Sequence, residues 1–322
     1  PDARLKVLSD MYLPRKVTPA EVMYIDIGAS VKSLAESKGI SGQLLSQLSR
    51  VDVLMEVVRA FPDESVPHPE GSINVDRDIA TMNLELAFAD MAIIEKRLDR
   101  LGSALKSPKP AERPVLLREQ ELLYRIKQEL ENEKPVRELV LTPDEERTIS
   151  GYQFLTAKPL LVVVNISEAQ LPDAEKIKAD FSERYARPLC RVTTICGKLE
   201  KELAQMDSTD ARSFSAEYGI KETGQESVIR TSFSLLGLIS FLTVGPDEVR
   251  AWPIPEGMVA LKAAGKIHSD IERGFIRAEV ISYDDLVKYG SMAEARKKGL
   301  LRLEGKSYTV KDGDVINFLF NV

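Results

Sequence analysis

Asn165-Ile-Ser-Glu168 closes an apolar run, Leu160-Leu-Val-Val-Val164, and it is the stretch whose residue types could do the most chemistry. A short aliphatic run that is β-branched at its end and preceded by Lys158-Pro159 reads as a strand buried on both faces of a parallel sheet. Ligands of open α/β sheets bind at the carboxyl ends of such strands, so an amide and a carboxylate there form a candidate base-recognition loop. The plain reading is a turn with an asparagine in it. Val22-Met-Tyr-Ile-Asp26 is a second apolar run with a polar end and reads as a second strand-to-loop junction, leading into Ile27-Gly28-Ala29-Ser30. A carboxylate so placed holds magnesium through water in phosphate-cleaving sites, or caps the helix that follows. A third run, Leu189 to Ile195, opens into Cys196-Gly197-Lys198. His68, between Pro67 and Pro69, is off any apolar face, and plain solvent exposure is the competing reading.

The elements that would position these residues follow from periodicity. Val51 to Val58 reads as another buried strand, followed by Arg59-Ala-Phe61 and a proline-rich loop to Gly71. From Asp78 the pattern changes. Ala87, Met91, Ile94, Leu98, Leu101 and Leu105 alternate spacings of four and three, which is a coiled-coil seam. Ser107-Pro-Lys-Pro110 breaks that helix, and Leu116, Leu123, Ile126 and Leu130 mark a second one, with Glu119 in the seam. Two such helices with a short link fold back as an antiparallel hairpin inserted in the α/β domain. Thr142-Pro-Asp-Glu145 starts a short helix. Helices are expected near 173–186, 198–206, 208–217 and 224–236, after which the α/β region ends. Strands are expected at 239–244, 248–254, 275–280, 306–310 and 315–320, with a helix near Tyr283 to Lys288 and a second at Met292 to Lys298. These make a small mixed β domain.

A chain of 322 residues is long for one core, and 29% charged with 43% hydrophobic residues is ordinary globular composition. A net charge of −6 argues against a nucleic-acid footprint over the whole surface, though not against a local basic patch. No apolar run has membrane-spanning length and no signal pattern stands at the amino end, so the chain reads as cytosolic. Cys190 and Cys196 read as small buried or loop residues of a reducing compartment rather than disulfide partners. Because the chain starts with Pro1 instead of Met, it reads as trimmed.

Several stretches are familiar. Glu248-Val-Arg-Ala-Trp252, Ala263 to Asp270, Gly274 to Asp285 and Asp312 to Val322 resemble the C-terminal domain of the YchF or Obg-like ATPase family. The resemblance extends to Phe61–Gly71, Asn83–Asp90 and Asn165–Glu168, and so spans the chain. It implies an α/β P-loop NTPase-type parallel sheet, an inserted antiparallel helical hairpin and a C-terminal β-grasp domain of the TGS type. The nucleotide-binding domain would take residues 1–84 and 141–236, the hairpin 85–140, and the TGS domain 237–322.

The resemblance also implies chemistry. Related GTPases carry N-K-x-D, whose aspartate pairs with guanine; here the place reads Asn165-Ile-Ser-Glu168, which in this family goes with ATP, and the Asn165 amide can serve adenine's donor and acceptors. The Ile166 backbone and Cys196-Gly197-Lys198 would line the base pocket. Asp26 matches a magnesium-linked aspartate, and His68 a loop histidine that positions the attacking water. Two features depart from the family. No G-x-x-x-x-G-K-[S/T] occurs in these residues, and D-x-A-G is replaced by Asp26-Ile-Gly28-Ala29, so that the γ-phosphate contact falls to the Ala29 N–H. Either the phosphate loop precedes Pro1 or the chain has lost hydrolysis. The expectation is an ATPase that uses magnesium with ATP and associates with the ribosome. The alternative is a non-catalytic ribosome- or RNA-binding module acting through the helical arm and the TGS domain, with Lys262, Lys266, Arg273 and Arg277 as a local positive face.

Overall fold

Five consecutive residues, Leu160 to Val164, are at most 2% exposed, and the sheet that buries them is built around that run. The computed structural model describes residues 2–27, 40, 42–217, 220 and 222–321. Its strands in chain order are β1 (Lys16–Thr18), β2 (Leu54–Arg59), β3 (Leu160–Asn165), β4 (Cys190–Ile195), β5 (Leu238–Thr243), β6 (Glu248–Pro255), β7 (Phe275–Ser282), β8 (Arg302–Glu304) and β9 (Asp314–Phe320). The chain divides into two units, residues 25–231 and residues 1–24 with 232–322.

In the first of these, β3 lies between β2 and β4 and pairs with both in parallel. The register is level: Arg59, Asn165 and Ile195 are partners at the carboxyl ends. Burial of β3 on both faces agrees with its uninterrupted aliphatic sequence. β2 does not follow the same pattern. Leu54 and Val58 are buried beside Val75 and Ile79, whereas Met55 and Val57 are 43% and 58% exposed. The expected two-sided burial fails because alternate side chains of a strand face opposite ways and, among the described residues, cover is provided on one face only.

The helical hairpin is present as helices 75–104 and 113–131. Its first helix begins before Asp78, where Asn74 Oδ1 accepts the Arg77 N–H at 3.0 Å. The opening turns carry Val75, Ile79 and Leu86 into the sheet core, while Ile94 and Leu101 pack with Leu123, Ile126 and Leu130 of the second helix. One helix therefore serves both the sheet and the arm, and a boundary at residue 85 cuts through it. Glu119 sits in the apolar seam because Arg97 meets it with two bonds of 2.8 Å and the Tyr152 hydroxyl donates to it as well. Asp90, fully buried, accepts from the Leu155 and Thr156 N–H groups at 2.8 Å and from the Thr156 hydroxyl at 2.6 Å, tying the long helix to the approach of β3.

The second unit has a six-stranded sheet in the order β1-β6-β5-β9-β7-β8. β5 and β9 are parallel neighbours, with β6 and β7 antiparallel outside them. Helix 260–267 buries Ala260, Ala263 and Ala264 against a core containing Phe241, Phe275 and Phe318, completing a β-grasp arrangement. Three expectations are corrected here. Residues 1–24 pack in this unit rather than with the α/β sheet: β1 pairs in parallel with β6, Leu5 and Leu8 are buried among Leu242, Ile281 and Leu286, and Arg4 bridges Asp2 and Asp312. The run Val22 to Asp26 is not a strand; Met23, Tyr24 and Ile25 are exposed and the run straddles the division between the units. Lys306 to Val310 forms no strand beyond an isolated bridge of Thr309 to Val259; β8 takes the sheet edge, and the Tyr308 hydroxyl donates to Asp314. Helices 260–267 and 269–273 escape a reading by apolar runs because the first buries alanines, not large side chains.

Replacing Asp90 with Ala leaves three buried donors without an acceptor and is expected to cost about 3 kcal/mol in urea unfolding; a loss under about 1 kcal/mol would show that the buried carboxylate is dispensable.

Candidate functional site at the carboxyl edge of the parallel sheet

The level ends of β2, β3 and β4 bring several of the singled-out residues into one place. Asn165 Oδ1 accepts the Gly197 N–H at 3.0 Å, joining the end of β3 to the start of helix 197–203. A Cβ on residue 197 would stand 3.4 Å from that oxygen, an ordinary van der Waals contact. The Nδ2 of Asn165 has no hydrogen-bonding partner among the described residues. Ile166 donates its N–H to Ile195 O at 2.8 Å and is 2% exposed. Glu168 and Lys198, both well exposed, pair across the rim at 2.5 Å.

Cys196 caps helix 197–203 and is 3% exposed; burial pushes its thiol up, although the Leu199 and Lys198 N–H groups act in the opposite sense. It is a packed residue of the loop, and Cys190, also buried, has its thiol raised by burial too. Sequence reasoning missed Gln170 and Arg59. Gln170 Oε1 accepts the Ser167 N–H at 2.9 Å and its Nε2 donates to Ala60 O at 3.1 Å, lashing the Asn165 loop to the end of β2. The Ser-x-x-Gln capping box was its signal. Arg59 Nη1 donates to Val66 O at 2.8 Å and holds the 61–71 loop.

The remaining candidates lie apart from this group in their contacts. Gly28 and Ala29 fall outside the described residues. Asp26 is exposed on a segment that belongs to no strand or helix. Magnesium in phosphate sites is held by one or two carboxylates together with the substrate's own phosphates. Asp26 supplies one carboxylate, and among the described residues no three metal-ligating side chains stand together, so these residues do not themselves form a cation site. His68 is not simply exposed. Its Nδ1 accepts the Glu70 N–H at 3.2 Å, and its Nε2 lies 3.1 Å from Asp78 Oδ2 in the first turn of helix 75–104. Asp78 neighbours Glu56, an inward residue of β2 whose Oε2 is buried without a partner. Arg137 closes this group, donating to Thr156 O and Asn83 Oδ1. Period-two alternation places Glu56 with Leu54 and Val58, which is the signal that could have found it. In the β-grasp unit Lys262 pairs with Glu272 and Arg273 with Asp270, leaving Lys266 and Arg277 without ion-pair partners among the described residues.

A parallel sheet with a polar carboxyl edge, an inserted helical hairpin and a β-grasp unit define the class of P-loop NTPase-type proteins that carry a TGS-like domain. The family profile YchF-GTPase_C, described as "Protein of unknown function (DUF933)", matches residues 238–321. The ribosome-binding ATPase YchF of Bacillus subtilis is 40% identical over all of this chain and 87% of its own length. The proteins of the same name from Pasteurella multocida and Escherichia coli O157:H7 are 37% and 36% identical with the same coverage. The solved structure of the Schizosaccharomyces pombe YchF GTPase aligns with 99% of this chain and 85% of its own, at a TM-score of 0.86 and 30% identity. The chain belongs to the YchF family.

Glu56 gives the protein a pH dependence of stability. Burial, then the nearby Asp78 carboxylate, push its carboxyl up to about 8 from the ordinary 4.5, with Arg137 opposing. The folded chain thus keeps a proton that the unfolded chain has released, so stability falls as pH rises between those values, by at most about 1.4 kcal/mol per unit. Denaturant unfolding from pH 5 to 8 is expected to show this decline in the wild type and a flatter profile in Glu56→Gln; parallel profiles would contradict it.

Proposed function

We propose that this chain is an ATPase that prefers ATP to GTP, reads adenine at the Asn165 edge and acts in association with the ribosome. The observation that carries this is Asn165, whose oxygen is taken by Gly197 while its amide nitrogen stays open to donate to a ring nitrogen of the base. Guanine recognition calls for a carboxylate that accepts two N–H groups, and Glu168, the acid of this loop, is turned to Lys198. The curated relatives are named ribosome-binding ATPases whereas the structural relative is named a GTPase, so base choice rests on these side chains. The Ile166 backbone and the Cys196-Gly197-Lys198 turn line the pocket around the base.

Hydrolysis in this reading is a matter of positioning and charge rather than covalent chemistry by the protein. Magnesium bound with ATP would supply neutralisation of the phosphate charge. Asp26 is the carboxylate that would hold it through water, the Ala29 N–H would meet the γ-phosphate, and His68 would orient the attacking water. Ribosome association is supported by the relatives' names, and we assign it to the helical arm and the β-grasp unit; a cytoplasmic location follows from it. Among the described residues no helix is long and apolar enough to cross a membrane. The non-catalytic RNA-binding reading is the weaker one, because two of its four cations are already paired with acids.

Phosphate release should be measured with the 322-residue chain and with a version extended upstream. ATP is expected to be turned over in preference to GTP, and His68→Ala to lower kcat about 100-fold with KM little changed. No release from ATP by either form would overturn the assignment.

A further inference from the structure

The loop that follows β2 is exposed at every residue from Pro62 to Ser72 except His68, whose side chain turns inward until 12% of it remains accessible. Its inward partner is Asp78, itself 12% accessible, on a helix anchored in the sheet core. Arg77 fixes the orientation of that carboxylate, donating to Oδ1 from Nε at 3.0 Å and from Nη2 at 2.8 Å, which leaves Oδ2 for the imidazole. Nδ1 of His68 is engaged by the Glu70 N–H, while Nε2 faces Asp78 Oδ2 at 3.1 Å, an ion-pair contact to an oxygen that accepts no hydrogen bond. An imidazole that orients a water must present a nitrogen to it. The Glu70 contact lies within the loop and travels with it, so the Asp78 contact is what ties the histidine to the scaffold.

We propose that Asp78 is a positioning residue that latches His68 in a resting position against helix 75–104, and that turnover requires this pair to part. The inference rests on the reading of His68 as the residue that orients the attacking water. Glu56 stands behind the pair on β2. Burial, then the nearby Asp78 carboxylate, push the Glu56 carboxyl up. Arg137 is the further charged group of this cluster. The loop is also held by Arg59 at Val66 O and by Arg77 at Ser72 O and Oγ, and these would act as the hinge points when His68 swings out.

The chain has two histidines, and His268 is 63% exposed, so it serves as an internal reference for modification by diethyl pyrocarbonate followed by peptide mass spectrometry. In the wild type His68 is expected to react about tenfold more slowly than His268. Asp78→Asn should bring the two rates together. Asp76→Asn makes the same change of charge in the same helical turn, but its carboxylate pairs with Arg184 and Tyr185, and it should leave His68 slow. In the ATPase assay Asp78→Asn should raise kcat with KM unchanged. Equal reactivity of the two histidines in the wild type, or a slow His68 in Asp78→Asn, would overturn the latch. A lowered kcat in Asp78→Asn would overturn it too, since Asp78 would then aim His68 instead of restraining it. Undiminished hydrolysis by His68→Ala would sink the water-orienting role on its own, and the modification rates would still decide whether Asp78 holds the ring.

Discussion

The parallel pairing of β3 with both neighbours, in level register, is the constraint on which the α/β unit depends. Five aliphatic residues of β3 are removed from water on both faces, which gives this strand little freedom to slip. A shift by one residue would turn inward-facing side chains outward in its neighbours. Because the register is level, Arg59, Asn165 and Ile195 finish in one row, and the loops after them meet at a single edge. Asn165 then binds the next strand's loop through Gly197, and Gln170 binds the previous strand's end at Ala60. The candidate base site is therefore a consequence of apolar burial, finished by a few hydrogen bonds that only those positions can make.

Helix 75–104 extends the same constraint outward. Its first turns lie in the sheet core, its middle holds Asp90 against the start of β3, and its far end forms the arm with helix 113–131. Most polar groups along this path are matched: Glu119 with Arg97, Asp90 with Thr156, and Asp78 Oδ1 with Arg77. Buried polar groups fix one arrangement out of many only if they are satisfied, and Glu56 Oε2, Asp78 Oδ2, Arg59 Nε and Arg137 Nε are buried without a partner. This cluster includes the carboxylate that faces His68.

Much of this was legible in the residues. The aliphatic block of β3, the seam of the hairpin and the polar loops after β3 and β4 have patterns that physics permits in few other ways, and they stand where expected. The failures have local causes. Val22 to Asp26 looks like a strand by composition, but no strand pairs with it among the described residues and Met23 and Ile25 stay exposed. Helix 260–267 hides because alanines bury it. Residues 1–24 join the β-grasp unit through Arg4 and Leu8, contacts more than two hundred residues away in sequence that no short window can show. The tie between His68 and Asp78 was equally invisible, since a histidine flanked by prolines gives no sign of which way it turns.

The central claim is that Asn165 at this edge reads adenine, and equilibrium binding tests it most directly. Dissociation constants for ATP and GTP should be measured with magnesium for the upstream-extended wild type and Asn165→Ala. The account predicts tighter binding of ATP than of GTP by the wild type, and a loss of about tenfold in ATP affinity in the variant, the worth of one well-made hydrogen bond. Equal affinities for the two nucleotides, or an Asn165→Ala protein that binds ATP as well as the wild type, would contradict it.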